Sequence, residues 1–341
     1  MITCDICGAS FKTTQGLAGH KRIRHASQQA GFTLSGQQLH HKVFQHLANK
    51  VADKLADAIL EEHGKQLIES YIEELSRLGL SFYPLGKKQQ IDKAIILAAG
   101  CSSRLFPLNS DKPDCLLDVG GRPILRRQLD ILENCGITHI ALVRGYQKEK
   151  LDYPYISYYE NNDYATSGIL KSLFCAEKEI NGEFVLSYGD IIYGIDILEK
   201  LLRDKADISL VIDTDWLSHY HQRFQHPVEE AGLVIVEGNR ITRIGRNIID
   251  PGEAYGEFIG LAKFSHRGAE ILRSNYAMVI SKYGESPFHS APSVEKAYFS
   301  DMIQELIEQG YVVHNVDIKG GWDEIDTLED LERAESLAWL N

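Results

Sequence analysis

The sequence predicts an α/β fold, a doubly wound and mostly parallel sheet, preceded by a short Cys/His segment and a helical spacer. Two observations predict it. From residue 94 to residue 316, strand-length apolar runs alternate with stretches of helical periodicity, the pattern of βα units. The first of these runs, Ala94-Ile95-Ile96-Leu97, is apolar without alternation, as a strand covered on both faces is. It breaks into Ala99-Gly100-Cys101-Ser102-Ser103, followed at once by Arg104. At the carboxyl end of a sheet strand such a turn offers backbone N–H groups, hydroxyls and a guanidinium to an anion. The turn by itself reads equally well as a plain strand-to-loop connection.

Composition sets the bounds. The chain has 341 residues, 44% hydrophobic and 25% charged, with a formal net charge of -12. That length accommodates two or three units. The acidic balance argues against a chain that coats nucleic acid. No apolar run approaches the ~20 residues of a membrane helix, so no membrane partner is expected. The N-terminus shows no basic-then-apolar leader, and a cytoplasmic location is the default expectation. Cys101, Cys115, Cys135 and Cys175 have no framework spacing and read as reduced thiols.

In chain order, residues 1–30 come first. Cys4, Cys7, His20 and His25 fit C-x2-C-x12-H-x4-H, with Phe11 and Leu17 at the small-core positions. Two thiolates and two imidazoles at that spacing close a tetrahedral Zn²⁺ site, and a segment this short folds on its metal. The segment is similar to one C2H2 zinc finger, with zinc in a structural role. Its base-reading positions would fall on Thr13, Gly16 and Gly19, and two glycines reach no base edge. A protein-contact role is therefore expected over specific DNA readout, while Lys12, Lys21, Arg22 and Arg24 leave room for weak phosphate contact.

Residues 38–80 form the spacer. Leu39, Val43, Leu47, Val51, Leu55 and Ile59 recur at four-residue steps up to Gly64, and a second helix carries Leu67 to Leu78. The pair serves either as an α-hairpin on the following domain or as a homo-oligomer contact. His40, His41 and His46 read as solvated. Ser81 to Gln90, with Pro84 and Gly86, marks the boundary of a domain spanning 91–341.

Within that domain the pattern predicts a helix from Pro123 to Cys135 and strands at 137–143 and 156–159. A helix at 170–179 and strands at 183–187 and 208–212 follow. A hairpin pairs 233–236 with 241–244 through Gly238-Asn239. Helices at 266–280 and 297–309 and a strand at 311–316 close the domain. Asp190 ends a strand, where α/β ligands bind, or else caps the next segment. Glu324 and Asp326 alternate along an extended backbone, so both carboxylates can face one side. Paired hard oxygens suit Mg²⁺. Alternatively, Asp326 or Thr327 caps a helix starting near Leu328.

The stretch from Ala94 to Leu125 carries more than its turn. Leu97-Ala98-Ala99-Gly100-Cys101-Ser102-Ser103-Arg104-Leu105 is followed by Pro107-Leu108-Asn109 and Lys112-Pro113-Asp114-Cys115-Leu116-Leu117. Val119-Gly120-Gly121-Arg122-Pro123-Ile124-Leu125 completes the series. In that order these residues resemble the signature of the sugar-nucleotidyltransferase superfamily. Tyr188-Gly189-Asp190, Gly256 to Phe264, Glu295-Lys296-Ala297-Tyr298 and Trp322 to Leu331 look like its cytidylyltransferase branch, which activates phosphocholine or 2-aminoethylphosphonate. The resemblance covers about residues 91–338 and nothing before them.

The resemblance implies a Rossmann-like nucleotide-diphospho-sugar transferase fold and Mg²⁺-dependent transfer from CTP, or another NTP, to a small phospho- or phosphono-acceptor. It implies a nucleotide site at Leu97, Ala98, Ala99, Gly100, Cys101, Ser102, Ser103 and Arg104, with Asn162 and Ser167 flanking it. It implies Mg²⁺ on Asp190, Glu324 and Asp326. Tyr159, Tyr188 and Tyr193, with Tyr158, are candidates for an aromatic box around an ammonium group, because ring faces attract cations. One position departs: the family lysine after the proline is Asp114 here, and Lys112 is the candidate to reach the phosphates instead. Two other readings stay open, a sugar-1-phosphate nucleotidyltransferase and a zinc-finger regulator with a nucleotide-sensing, weakly catalytic domain.

Overall fold

The computed structural model describes residues 91–337, Gln222 apart, and two short strands at Ile2–Thr3 and Ser10–Phe11. The chain divides into two compact units, Met1–Lys88 and Gln89–Asn341. In the first, the two short strands pair antiparallel, Ile2 opposite Phe11. Cys4, Cys7, His20 and His25, and the helices expected within 38–80, lie outside the described residues.

The strands of three residues or more in the second unit begin with β1 (Lys93–Ala98), β2 (His139–Arg144), β3 (Ile156–Glu160) and β4 (Phe184–Tyr188). They continue with β5 (Ile191–Tyr193), β6 (Ile208–Asp213), β7 (Leu233–Glu237) and β8 (Arg240–Gly245). The last are β9 (Gly256–Phe264), β10 (His314–Ile318) and β11 (Trp322–Glu324). The helices are α1 (Ile124–Asn134), α2 (Ile169–Cys175), α3 (Ile195–Arg203) and α4 (Trp216–His219). α5 (His266–Tyr283), α6 (Phe299–Glu308) and α7 (Leu328–Glu335) complete them.

Strands β3, β2, β1 and β4 lie side by side and parallel. β9 then runs antiparallel to β4, β6 antiparallel to β9, and β10 parallel to β6. The β7–β8 hairpin extends the sheet from the start of β9, Leu233 opposite Glu257. The doubly wound α/β reading therefore holds, with β9 as an antiparallel strand inside it. β9 escapes pattern reading because Glu257, Lys263 and two glycines interrupt its apolar residues, although the whole strand is buried.

The lack of alternation in β1 has its cause here. Ile95 and Leu97 face one layer, with Leu170 and Leu173 of α2, Leu272 of α5 and Met302 of α6. Ala94, Ile96 and Ala98 face the other, with Leu125, Leu129 and Leu132 of α1 and Leu198 and Leu201 of α3. Ile95 and Ile96 are fully buried, each stabilising the fold by about 1.5–3 kcal/mol relative to exposure. Because β2 and β4 flank β1, the chain order reverses at the carboxyl ends of β1 and β4, where α/β sheets leave a ligand crevice.

Candidate active site

Two strand ends and one small two-stranded sheet build the site. β4 runs into Tyr188-Gly189-Asp190, and this turn packs on the end of β1. A Cβ on Gly189 would stand 2.7 Å from the Leu97 carbonyl oxygen, so only glycine fits, and its N–H donates to that oxygen at 2.8 Å. Gln128 of α1 fixes the turn by donating to the carbonyls of Tyr188 (2.8 Å) and Ile191 (2.6 Å). Asp190 precedes a strand, β5, and not a helix, so it caps nothing. β5 pairs antiparallel with β11, Ile191 opposite Glu324, and the Ile325 N–H donates to the Asp190 carbonyl at 2.9 Å. This pairing sets Glu324 and Asp326 beside Asp190 across more than 130 residues of sequence.

Thr327 is the cap of α7, in a reciprocal capping box with Asp330. Asp326 is thereby free of that task. Asp190, Glu324 and Asp326 all line one cavity of about 550 Å³. Burial pushes the carboxyls of all three upward; Asp326 and Glu324 add to it at Asp190, Glu324 adds to it at Asp326, which reaches about 6, and at Glu324 the Arg223 and Arg246 charges oppose it. One carboxyl oxygen of Asp190 is buried without any hydrogen-bond partner. Glu324, Asp326 and His226 each offer a ligand atom within 4.8 Å of one another, and Asp190 with its unpartnered oxygen lines the same cavity, so the set fits a divalent cation such as Mg²⁺.

The loop 214–231 adds residues that sequence reasoning missed. His226 is 2% exposed, with Nε2 3.7 Å from Glu324 and Nδ1 3.7 Å from Asp326. Burial, then the Arg223 charge, lowers it to about 4, so the imidazole is neutral at pH 7. Arg223 is clamped on Asp330 at 2.6 and 2.9 Å. Glu230 takes both Arg104 nitrogens, at 2.9 and 3.0 Å, while Arg104 also reaches Asp326 at 3.1 Å. Glu257 of β9 and Arg246, just past β8, stand on the cavity wall. None of these sits in a locally periodic motif.

The expected nucleotide residues divide. Gly100, Cys101 and Ser103 are exposed at the sheet end, and Ser102 bonds the Asp326 carbonyl at 2.7 Å. Leu97, Ala98 and Ala99 are buried in the core and do not line the cavity. The Ser102 N–H is taken by Asp114 at 2.6 Å, and Asn109 donates to the same carboxylate at 2.8 Å. Asp114 thus works as the internal clasp of the turn, and that amide is not free for a phosphate. Lys112 makes no hydrogen bond or ion pair with any described residue. Ser167 lines the cavity, steadied by buried Asn161 at 2.9 Å, but Asn162 is exposed and held by Lys148 at 3.0 Å.

The aromatic box does not assemble. Tyr188 lines the cavity. Tyr158 bonds the Tyr153 backbone, and the Tyr159 hydroxyl donates to Glu179 at 2.6 Å, because successive residues of β3 point to opposite faces. Tyr193 is buried against the α1 and α3 layer.

Comparison with known proteins agrees with this geometry. A MobA-like NTP transferase domain matches residues 94–234, and a C2H2-type zinc finger matches residues 3–28. The chain is 30% identical over 250 residues to a CTP:phosphoglutamine cytidylyltransferase of Campylobacter jejuni, covering 70% of this chain and 97% of the relative. A UTP–glucose-1-phosphate uridylyltransferase of Haloferax volcanii is 33% identical over 134 residues, 36% of this chain and 55% of the relative. The fold matches that of the CTP:phosphocholine cytidylyltransferase of Streptococcus pneumoniae with a TM-score of 0.53 at 23% identity, over 71% of this chain and 97% of that one. The chain is a nucleotidyltransferase and belongs to the family built on the MobA-like NTP transferase domain.

Proposed function

We propose that the chain transfers a cytidylyl group from CTP to a small phosphorylated or phosphono-acceptor. The observation that carries this is one cavity lined by Asp190, Glu324 and Asp326, beside Arg104 and an exposed small-residue loop, with an Asp190 oxygen left unpartnered. A phosphate or phosphonate oxygen of the acceptor attacks the α-phosphorus in line. The bond from the α-phosphorus to the bridging oxygen breaks, and pyrophosphate leaves with the electron pair. No covalent intermediate on the protein is needed, so catalysis is positioning and charge neutralisation.

Asp190, Glu324 and Asp326 would hold Mg²⁺, which neutralises phosphate charge when bound. Arg104 exchanges Glu230 for triphosphate oxygens. The N–H groups of Cys101 and Ser103 face the same phosphates, and Lys112 supplies the charge that Asp114 does not. Tyr188 and Ser167 form the acceptor's side of the cavity. The choice of CTP is supported by the Campylobacter jejuni relative. In the N-terminal unit, Cys4, Cys7, His20 and His25 would hold a structural Zn²⁺ and present a protein-contact surface.

A panel of CTP, UTP, ATP and GTP against phosphocholine, 2-aminoethylphosphonate, phosphorylated glutamine and glucose 1-phosphate tests the reading through pyrophosphate release. Turnover with CTP and one of the first three acceptors is expected. UTP with glucose 1-phosphate as the best pair replaces it with the sugar-nucleotide reading. Nucleotide binding with no turnover on any pair replaces it with a sensing role.

A further inference from the structure

The cavity also carries two titratable side chains, Arg246 and Glu257, that lie in the field of Glu324 without being hydrogen-bonded to the acidic trio. Arg246 stacks over the Tyr298 ring, its guanidinium carbon 4.5 Å from the ring centroid. It makes no hydrogen bond or ion pair with any described residue. Glu257 is 5% exposed; its Oε1 accepts from the Tyr220 hydroxyl at 2.8 Å, and its Oε2 is buried with no partner. Both side chains line the same cavity as Asp190, Glu324 and Asp326. Folded proteins seldom leave a buried carboxylate oxygen and a cavity-facing guanidinium unpaired, because each forgoes its hydration.

We propose that Arg246 and Glu257 form the acceptor subsite, Arg246 taking an anionic oxygen of the acceptor and Glu257 Oε2 accepting from an N–H at its other end. The acceptor class is then a phospho- or phosphono-compound with a primary ammonium or an amide, and not a quaternary ammonium. A trimethylammonium group has no N–H for Oε2, so it leaves the buried oxygen as unsatisfied as before. Of the tyrosines expected to form a box only Tyr188 lines the cavity, since Tyr159 and Tyr193 are engaged elsewhere; Phe258, Tyr298 and Trp322 also line it, and the Tyr298 ring is already covered by the Arg246 guanidinium. Tyr220 holds Glu257 in place, and Tyr298 holds Arg246, so the pair is preorganised. The inference rests on the nucleotidyl-transfer reading for the identity of the cavity's occupant.

Phosphoethanolamine and phosphocholine differ only in the N-methyl groups and make the sharpest probe. The full chain is titrated calorimetrically with each, and with 2-aminoethylphosphonate and phosphorylated glutamine, with Mg²⁺ and a non-hydrolysable CTP analogue present. The same compounds are then assayed for turnover with CTP. We expect the N–H acceptors to bind and react with a preference over phosphocholine of about 10²-fold or more. E257Q, checked for an unchanged melting temperature, should bring that preference to within about tenfold by raising the acceptor KM while the CTP KM stays within twofold. Equal use of both probes, a preference for phosphocholine, or binding of none of the N–H compounds overturns the inference and leaves cytidylyl transfer standing. Selective binding without turnover overturns the transfer reading and leaves the subsite standing.

Discussion

Two sets of carboxylates, one buried and one half-buried at the cavity, behave oppositely in this molecule. Asp213 and Asp330 are fully buried and fully partnered. Asp213 accepts from Trp322 Nε1 at 2.7 Å and from the N–H groups of Asp215 and Gly320, and His219 lies 3.2 Å away. The Asp330 carboxylate takes the Arg223 fork and accepts from the Thr327 N–H at 3.0 Å. Despite burial, both carboxyls lie below the ordinary aspartate range, because hydrogen bonds and opposite charges favour the ionised form. Asp190, Glu324 and Asp326 have few such partners and shift upward. The first set ties the loop 214–231 and α7 to the sheet. The second set holds charge the apoprotein compensates only in part, through Arg104 at 3.1 Å from Asp326 and Arg223 at 3.6 Å from Glu324. Partnering, more than burial, separates acids that hold the fold from acids that do chemistry.

The largest expected effect breaks the first set. Replacing Asp330 with Ala leaves Arg223 buried without its partner and should cost about 3–5 kcal/mol in urea unfolding. D190N and D326N, which remove repulsive charge, should leave stability within about 1 kcal/mol of the wild type or raise it. A D190N protein as destabilised as D330A would erase the distinction. Next comes activity. D190N should lower the rate of pyrophosphate release by about 10²–10³-fold, since a charge-neutralising ligand contributes several kcal/mol.

Lys112→Ala sharpens the role of Asp114. With that turn amide already clasped, the lysine's charge-assisted contact to phosphate should be worth about 1–3 kcal/mol, read as a roughly 10- to 100-fold loss in kcat/KM for CTP. Undiminished turnover would show that Lys112 does not reach the phosphates. The smallest effect is on pH. Raised carboxyl pKa values mean the apoprotein binds these protons more tightly folded than unfolded. Their contribution to stability is present at acid pH and is lost as pH rises through about 6, the Asp326 value. Mg²⁺ needs the ionised forms, so the rise in melting temperature it produces should shrink as pH falls through the same range. A constant metal effect between pH 5 and pH 8 would contradict the assignment.

Much of the second set was legible in the sequence. The ordered residues from Leu97 to Leu125 placed the turn, while strand ends and alternation left Asp190 and Asp326 open between ligands and helix caps, and the resemblance singled them out, with Glu324, as ligands. The rest was not, for physical reasons. Arg246, Glu257, His226 and Glu230 reach the cavity only through β9's antiparallel insertion and the fold-back of 214–231, which are tertiary pairings without local periodicity. The tyrosine box failed on geometry, since adjacent strand residues cannot share a face. Asp114 looked like a misplaced charge because its sign was visible and its partners, the Ser102 N–H and Asn109, were not.

The Arg104–Glu230 bridge bears on the order in which substrates assemble. Before any ligand arrives, the arginine is held by a carboxylate that itself stands in the acceptor's cavity. A triphosphate must displace that carboxylate, so the apparent affinity for nucleotide is the intrinsic one reduced by the fraction of molecules with the bridge open. Once Arg104 moves to the phosphates, Glu230 is released and the cavity clears. Steady-state kinetics should accordingly show compulsory order with nucleotide first and the acceptor adding only to the nucleotide-loaded protein, and E230Q should relax that order toward random addition.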